Sequence, residues 1–109
     1  MTVNEYQNEA HKYAVYNTCA ESRMYPILGL AEEAGEVAGK FAKIIRDKQG
    51  VISKEDELTI VKELGDVCWM IAEVANNLGV TLEQVMQGNL DKLASRKERD
   101  VINGNGDDR

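Results

Sequence analysis

Two long stretches of this chain repeat their apolar residues every three or four positions, and this spacing constrains the fold most strongly. The stripe in the first stretch consists of Leu30, Ala34, Val37, Ala38, Phe41 and Ile45. The stripe in the second consists of Val61, Leu64, Cys68, Ile71, Ala75 and Leu78. Such spacing places the apolar side chains on one face of an α-helix. We therefore predict an all-α fold in which both helices turn these faces toward the core.

Cap and turn residues divide the chain into four predicted helices. Their expected spans are about Val3–Thr18, Pro26–Asp47, Lys54–Leu78 and Leu82–Arg99. Asn4, Ser53 and Thr81 are the expected N-caps, because their side chains accept bonds from the free N–H groups of a first turn. We expect residues 1–102 to form one domain resembling a four-helix bundle. The tail 103–109, "NGNGDDR", has no apolar residue and reads by composition as a frayed end.

Size and charge limit the classes of partner. A domain of 109 residues buries a modest core, so we expect it to pair with further copies of itself. The net charge of -6 argues against binding to nucleic acid or a membrane surface, which needs a basic face. The polar N-terminus lacks a secretory h-region, and Cys19 and Cys68 are expected to be buried free thiols. These features favour a soluble cytoplasmic protein.

Two pairs of acidic residues are the candidate site. Glu33 and Glu36 are three residues apart, and Glu63 and Asp66 repeat this spacing, so each pair shares a helix face. The helical paths from the two pairs to the connecting loop are roughly 16 and 14 Å long. In antiparallel neighbouring helices the four carboxylates would lie at similar heights, and Mg²⁺ or Mn²⁺ would offset their repulsion. The alternative is a solvated acidic face, with Glu36 and Lys40 as an ordinary helical ion pair.

The acidic motif also carries a family resemblance. The segments "LAEEAGEVAGK" and "KELGDVCWMIAEVANNLG" contain Glu32-Glu33-x-x-Glu36, 26 intervening residues, and Glu63-x-x-Asp66. Together with "NLDKLASRKERDVINGNGDDR", this pattern resembles the MazG-like nucleotide pyrophosphohydrolases of the all-α NTP pyrophosphatase superfamily, over roughly Gly29 to Arg109.

The resemblance implies a fold, an activity and a set of roles. It implies helical homodimers or homotetramers with the site near the interface. It implies Mg²⁺-dependent cleavage of (deoxy)nucleoside triphosphates between the α and β phosphates, giving a monophosphate and pyrophosphate. The metal ligands that it implies are Glu33, Glu36, Glu63 and Asp66. Glu32 would be an outer-shell acid or the base that activates water.

Basic residues near the C-terminus are candidate phosphate ligands. Asn89, Lys92 and Arg96 fall on one face of the fourth helix, where they could hold phosphate oxygens or form a solvated basic end. The tail glycines could let the backbone approach a ligand, with Arg109 reaching phosphate.

Aromatic and histidine residues leave further alternatives open. Trp69 could be a platform for a nucleobase, although packing is the commoner role for such a residue. For His11 we expect packing or a surface position rather than catalysis.

Two other functional classes compete with the hydrolase. A non-enzymatic helical interaction module would need only a solvated acidic face. A redox di-metal bundle is disfavoured, because such sites use Glu-x-x-His whereas the acids here are followed by Glu or Asp at that spacing.

Overall fold

The computed structural model describes residues 1–16 and 21–109, which contain four α-helices and no β-strand. The helices are α1 (Val3–His11), α2 (Met24–Lys48), α3 (Lys54–Leu78) and α4 (Leu82–Glu98). The all-α prediction is confirmed. None of the helices in these ranges is long and apolar enough to cross a membrane.

Side-chain caps start three of the four helices. In each capping box the cap side chain accepts from a backbone N–H three residues on, and the residue there accepts from the cap backbone. The boxes are Thr2 with Glu5, Ser53 with Asp56, and Thr81 with Gln84. The prediction that Asn4 caps the first helix is wrong, because Thr2 is the N-cap. The side chain of Asn4 accepts a bond from the backbone N–H of Glu83 and so ties α1 to the first turn of α4.

The first helix is shorter than predicted. It ends at His11, and residues 12–16 continue without helix. In this extension the Tyr16 hydroxyl donates to Glu73 of α3, and the Tyr16 ring stacks on Tyr25 with 4.7 Å between ring centroids. These tertiary contacts outweigh the helix propensity of the segment. The predicted end at Thr18 and the thiol of Cys19 lie outside the described residues.

An antiparallel hairpin of α2 and α3 organises the molecule. Lys40 of α2 lies beside Glu63 of α3, and Lys48 lies beside Asp56, so the two helices run in opposite directions. At the far end Gly29 meets Met70, where a Cβ atom on residue 29 would lie 2.5 Å from the methionine sulfur. The glycine therefore permits close approach of the helices at this point, in exchange for its poor helix propensity.

The apolar stripes that were predicted to form the core are largely exposed. Phe41 and Ile45 of α2 are 40% and 69% exposed, and Val61 and Leu64 of α3 are 61% and 46% exposed. The two helices instead pack through faces that contain Ile44, Ile60 and Met70, all of them buried. Cys68, expected to be buried, is also exposed. The helix period was correct, but most residues of the two stripes are exposed, and Ala75 of α3 is the stripe residue that the described part of the chain buries.

The helices do not close into a compact bundle. Within the described ranges α3 packs on α1, α2 and α4, and α1 packs on α4, whereas α2 contacts neither α1 nor α4. The radius of gyration is 16.9 Å, against about 13 Å for a compact domain of this length. The predicted bundle therefore needs correction: a single chain forms an open arrangement around the hairpin.

The hairpin loop gives a prediction of pH dependence. Asp56 accepts two bonds from Lys48 Nζ, at 2.8 and 2.9 Å, and one from the Ser53 N–H. These bonds lower the pKa of Asp56 to about 2. A lowered folded-state pKa stabilises the fold above the unfolded value, and this stability is lost as the pH falls through the folded value. Asp56→Asn should therefore lower the melting temperature at pH 7, with a difference that shrinks from about pH 4 to about pH 2.

The matched control is Glu55→Gln in the same helical turn. Glu55 is exposed, so its replacement should change the melting temperature little. Circular dichroism melts of both variants across this pH range make the measurement. A deficit of Asp56→Asn that is constant with pH would contradict the interpretation.

Candidate functional site

Three carboxylates meet between α2 and α3. Glu33 of α2 and Glu63 and Asp66 of α3 each offer an oxygen, and these oxygens all lie within 4.8 Å of one another. The oxygens around one octahedral Mg²⁺ are separated by about 3 Å when adjacent and about 4.2 Å when opposite. Small side-chain rotations would bring the trio to that spacing. Oxygen donors of this kind suit a hard divalent cation.

Charge repulsion in this trio is only partly balanced. Partial removal from water, followed by the charges of Asp66, Glu32, Glu63 and Glu36, raises the pKa of Glu33. Lys40 Nζ lies 3.5 Å from Glu63 Oε1 and supplies a positive charge across the two helices. One ammonium group against three carboxylates leaves a strongly negative site that would gain from a divalent cation.

The other two acids of the motif lie outside this trio. Glu36 and Glu32 are exposed on α2, and neither carboxylate belongs to the group of converging oxygens. Both are close enough to contribute to the raised pKa of Glu33. The predicted ligand role of Glu36 and the predicted base role of Glu32 stay predictions.

A further acid of α3, Glu73, is fully buried and was missed by sequence reasoning. The side chain of Glu73 is inaccessible to water. It accepts bonds from Tyr16 Oη at 2.8 Å and Asn76 Nδ2 at 3.0 Å, and it contacts His11 Nδ1 at 3.0 Å. Burial, followed by this bond to Glu73, raises the pKa of Tyr16 to about 12. The available signal was spacing, since Glu73 follows Asp66 by seven residues and so shares its helix face.

A pocket opens beside the acid trio between α1 and α3. It has a volume of about 360 Å³, and its lining includes Asp66, Tyr6, Tyr13 and Trp69. The Trp69 Nε1 atom is buried and has no hydrogen-bond partner in the described part of the chain. Trp69 therefore contributes an unpartnered donor at the wall of a pocket that residues of α1 also line. Its two predicted roles, packing and a platform for a nucleobase, stay predictions.

The basic residues of α4 contact the C-terminal tail. Lys92 Nζ lies 2.9 Å from Asp107 Oδ1, and Arg96 Nη2 donates to the backbone oxygen and Oδ1 of Asp107 at 2.6 and 3.1 Å. Asn89 is exposed on the same helix. The tail forms turns that fold back on α4, contrary to the frayed end that its composition predicts. The contacts of Lys92 and Arg96 are thus with the tail and not with the acid trio.

Comparison with known proteins gives the family. Residues 23–101 match the model of the MazG nucleotide pyrophosphohydrolase domain. The chain is 47% identical to the Gene 37 protein of Mycobacterium phage L5, over the full length of both chains. It is 35% identical to the uncharacterized protein YvdC of Bacillus subtilis strain 168, over 63% of this chain and 70% of that protein. No solved structure matches it. The match includes α2, α3 and α4 and spans the whole acidic motif. The chain therefore belongs to the MazG nucleotide pyrophosphohydrolase domain family.

Proposed function

We propose that this protein is an Mg²⁺-dependent nucleoside triphosphate pyrophosphohydrolase that acts on ribo- or deoxynucleotides. Water cleaves the anhydride between the α and β phosphates, and the products are a nucleoside monophosphate and pyrophosphate. The observation that carries the proposal is the convergence of Glu33, Glu63 and Asp66 in a chain whose residues 23–101 match this family. The cytoplasm, which holds nucleotides and free Mg²⁺, is the compartment in which we expect this activity.

The acidic residues hold the cation and the attacking water in this proposal. Glu33, Glu63 and Asp66 bind Mg²⁺, or Mn²⁺ in its place, and Glu36 adds a fourth carboxylate from the same helix as Glu33. When bound there, the ion polarises a phosphoryl oxygen and lowers the pKa of a bound water. To Glu32, exposed one position before Glu33, we assign the role of the base that would accept a proton from the attacking water.

Residues outside the acid trio bind the rest of the nucleotide. A triphosphate cannot approach bare carboxylates, so we assign its distal oxygens to Lys92 and Arg96, with Asn89 on the same helix face. The pocket next to Asp66 offers aromatic walls and about 360 Å³, which suits a nucleoside.

The open shape of one chain favours a homodimer or homotetramer. Phe41, Ile45, Val61 and Leu64 present apolar surface to water, as do Met86 and Leu90 of α4. Such faces are normally covered by another protein surface. A second copy would cover them and would also bring a second set of α4 side chains toward the hairpin.

The same exposed faces also favour a second candidate, a helical interaction module without catalysis. In that reading the acids are solvated and the apolar stripes bind a partner protein. It predicts no nucleotide hydrolysis and a melting temperature that does not respond to Mg²⁺.

The activity prediction uses two conservative variants. Glu63→Gln and Asp66→Asn should each lower pyrophosphate release from nucleoside triphosphates by about a hundredfold or more, because metal stabilisation of the transition state is worth several kcal/mol. Phosphorus NMR over a panel of ribo- and deoxynucleotides should show monophosphate and pyrophosphate. The control is Glu57→Gln, an exposed acid of α3 that pairs with Lys54. Diphosphate and orthophosphate as the main products, or full activity of both variants, would contradict the proposal.

The metal prediction is thermodynamic and needs no substrate. In EDTA, Asp66→Asn should raise the melting temperature by a few degrees because it removes repulsion from the trio. Millimolar Mg²⁺ or Mn²⁺ should stabilise the wild type and not this variant, since a bound ion favours the folded state. Glu57→Gln should follow the wild type in both conditions. Equal metal responses of Asp66→Asn and the wild type would remove the trio as the metal site.

The assembly prediction tests the exposed stripes. The wild type should be at least a dimer in light scattering at micromolar concentration. Ile45→Glu should weaken the assembly by tenfold or more in Kd, because burial of an isoleucine side chain contributes about 1.5–3 kcal/mol. Lys43→Glu changes an exposed polar residue of the same helix and should leave the mass unchanged. A monomeric wild type would contradict the proposed assembly.

A further inference from the structure

Arg96 is a buried cation that forms an ion pair with the C-terminal tail. Only 6% of the residue is exposed, and a buried guanidinium is costly unless an anion or several acceptors face it. Its partner is Asp107, which supplies a backbone oxygen and one carboxylate oxygen to Nη2. The same carboxylate oxygen accepts from Lys92 Nζ. One aspartate therefore occupies the space between two cations on one face of α4.

The fit of this aspartate to Arg96 is incomplete. The Nε atom of Arg96 is buried and has no hydrogen-bond partner among the described residues. Elsewhere in the chain Arg46 shows a complete fork, with Nε and Nη2 each 2.7 Å from one oxygen of Asp47. At Arg96 only Nη2 of this edge is used. The site thus keeps an unused donor, which Asp107 in its observed position does not meet and which a differently placed anion could bind.

The tail holds Asp107 next to Lys92 and Arg96 but leaves its carboxylate exposed, so that another anion can replace it. The Arg109 guanidinium donates to the backbone oxygens of Val101, Ile102 and Gly106, and this closes the tail into a loop. Gly104 is needed inside that loop, because a Cβ there would lie 2.6 Å from Arg109 Cδ. The side chain of Asp107 nevertheless remains 78% exposed. Ion pairs with so exposed a member are weak, so another anion can replace it.

We propose that Asp107 is a built-in competitor for phosphate at the Lys92–Arg96 pair. Its carboxylate fills the site when no ligand is bound, and phosphate oxygens displace it and complete the fork at Nε and Nη2. Phosphate suits the site because guanidinium binds phosphate and carboxylate with the same two-pronged geometry, and phosphate offers a third oxygen to Lys92. The identity of the phosphate as part of a nucleotide substrate rests on the proposed function.

The test measures binding of inorganic pyrophosphate to the full chain by calorimetry in EDTA and at fixed ionic strength. Without a divalent ion the acid trio repels pyrophosphate, so binding reports on the basic pair. Asp107→Asn should bind about three- to tenfold more tightly than the wild type, the range expected when a weak competing ion pair is removed. Asparagine keeps the backbone oxygen that accepts from Arg96, so the tail can remain folded.

Asp108→Asn is the matched control. It removes the same charge from the next position, whereas the bonds to Lys92 and Arg96 come from Asp107. Its affinity for pyrophosphate should stay within about twofold of the wild type, the effect of net charge alone at moderate salt. In Lys92→Met the benefit of Asp107→Asn should shrink, because the two residues then no longer compete at a shared site.

A nucleoside triphosphate replaces pyrophosphate in the second arm of the experiment. A gain of Asp107→Asn with both ligands means that the site takes phosphate from any source. A gain with the triphosphate alone means that the site reads phosphate attached to a nucleotide. Equal affinities of Asp107→Asn and Asp108→Asn for both ligands, or no measurable binding to any variant, would overturn the competitor role. Hydrolysis is scored separately by monophosphate formation with Mg²⁺, so failure of this inference is distinguishable from failure of the proposed function.

Discussion

The packing of α2 on α3 holds carboxylates of like charge close together, and the candidate site depends on this packing. The faces that pack include Ile44 and Met70, and they also include Glu33 and Glu63. Burial of the apolar members pulls the helices together while the carboxylates push them apart. The close approach of Gly29 to Met70 and the Lys48–Asp56 pair fix the two ends of the hairpin. The acids in between are thereby held at short range in spite of their repulsion.

Glu73 and Glu63 of α3 differ in the partners that surround their carboxylates. Glu73 accepts hydrogen bonds from Tyr16 and Asn76 and contacts His11, so its carboxyl group has its polar partners within the chain. Glu63 has Lys40 at 3.5 Å and two further carboxylates close by. A buried carboxylate with satisfied hydrogen bonds stabilises the fold, whereas a group of carboxylates with too few cationic partners would gain from a bound cation. The contrast supports a structural role for the Glu73 cluster and a chemical role for the trio.

Sequence reasoning predicted local structure better than packing. Capping at Ser53 and Thr81 and the end of the third helix at Leu78 depend on a few adjacent residues, and all three are observed. The packing partner of an apolar helix face is not encoded in its spacing. Periodicity therefore cannot distinguish a face that packs in the core of one chain from a face that packs against another protein. Phe41 and Val61 were therefore assigned to a core that one chain does not form. Path lengths around the hairpin predicted that Glu33, Glu63 and Asp66 would meet, but only the structure shows Glu36 outside the group. The tail was misjudged because its order comes from Arg109 and Asp107, which composition counts as ordinary polar residues.

The open shape of the chain and its charge distribution point to the same arrangement. The negative trio lies on the hairpin, whereas the basic pair lies on α4, which does not contact α2 within the described residues. A triphosphate needs a cation at one end and donors along its length, and its distal oxygens extend only several ångströms from the first. If the proposed substrate spans both groups, the donors would come either from a movement of α4 toward the hairpin or from α4 of a second copy. The second route needs no rearrangement of the capping and side-chain bonds that join α4 to α1, and it covers the exposed stripes at the same time. If the proposed function holds, a site completed between copies would therefore account for both the separation of these charges and the exposure of the apolar stripes.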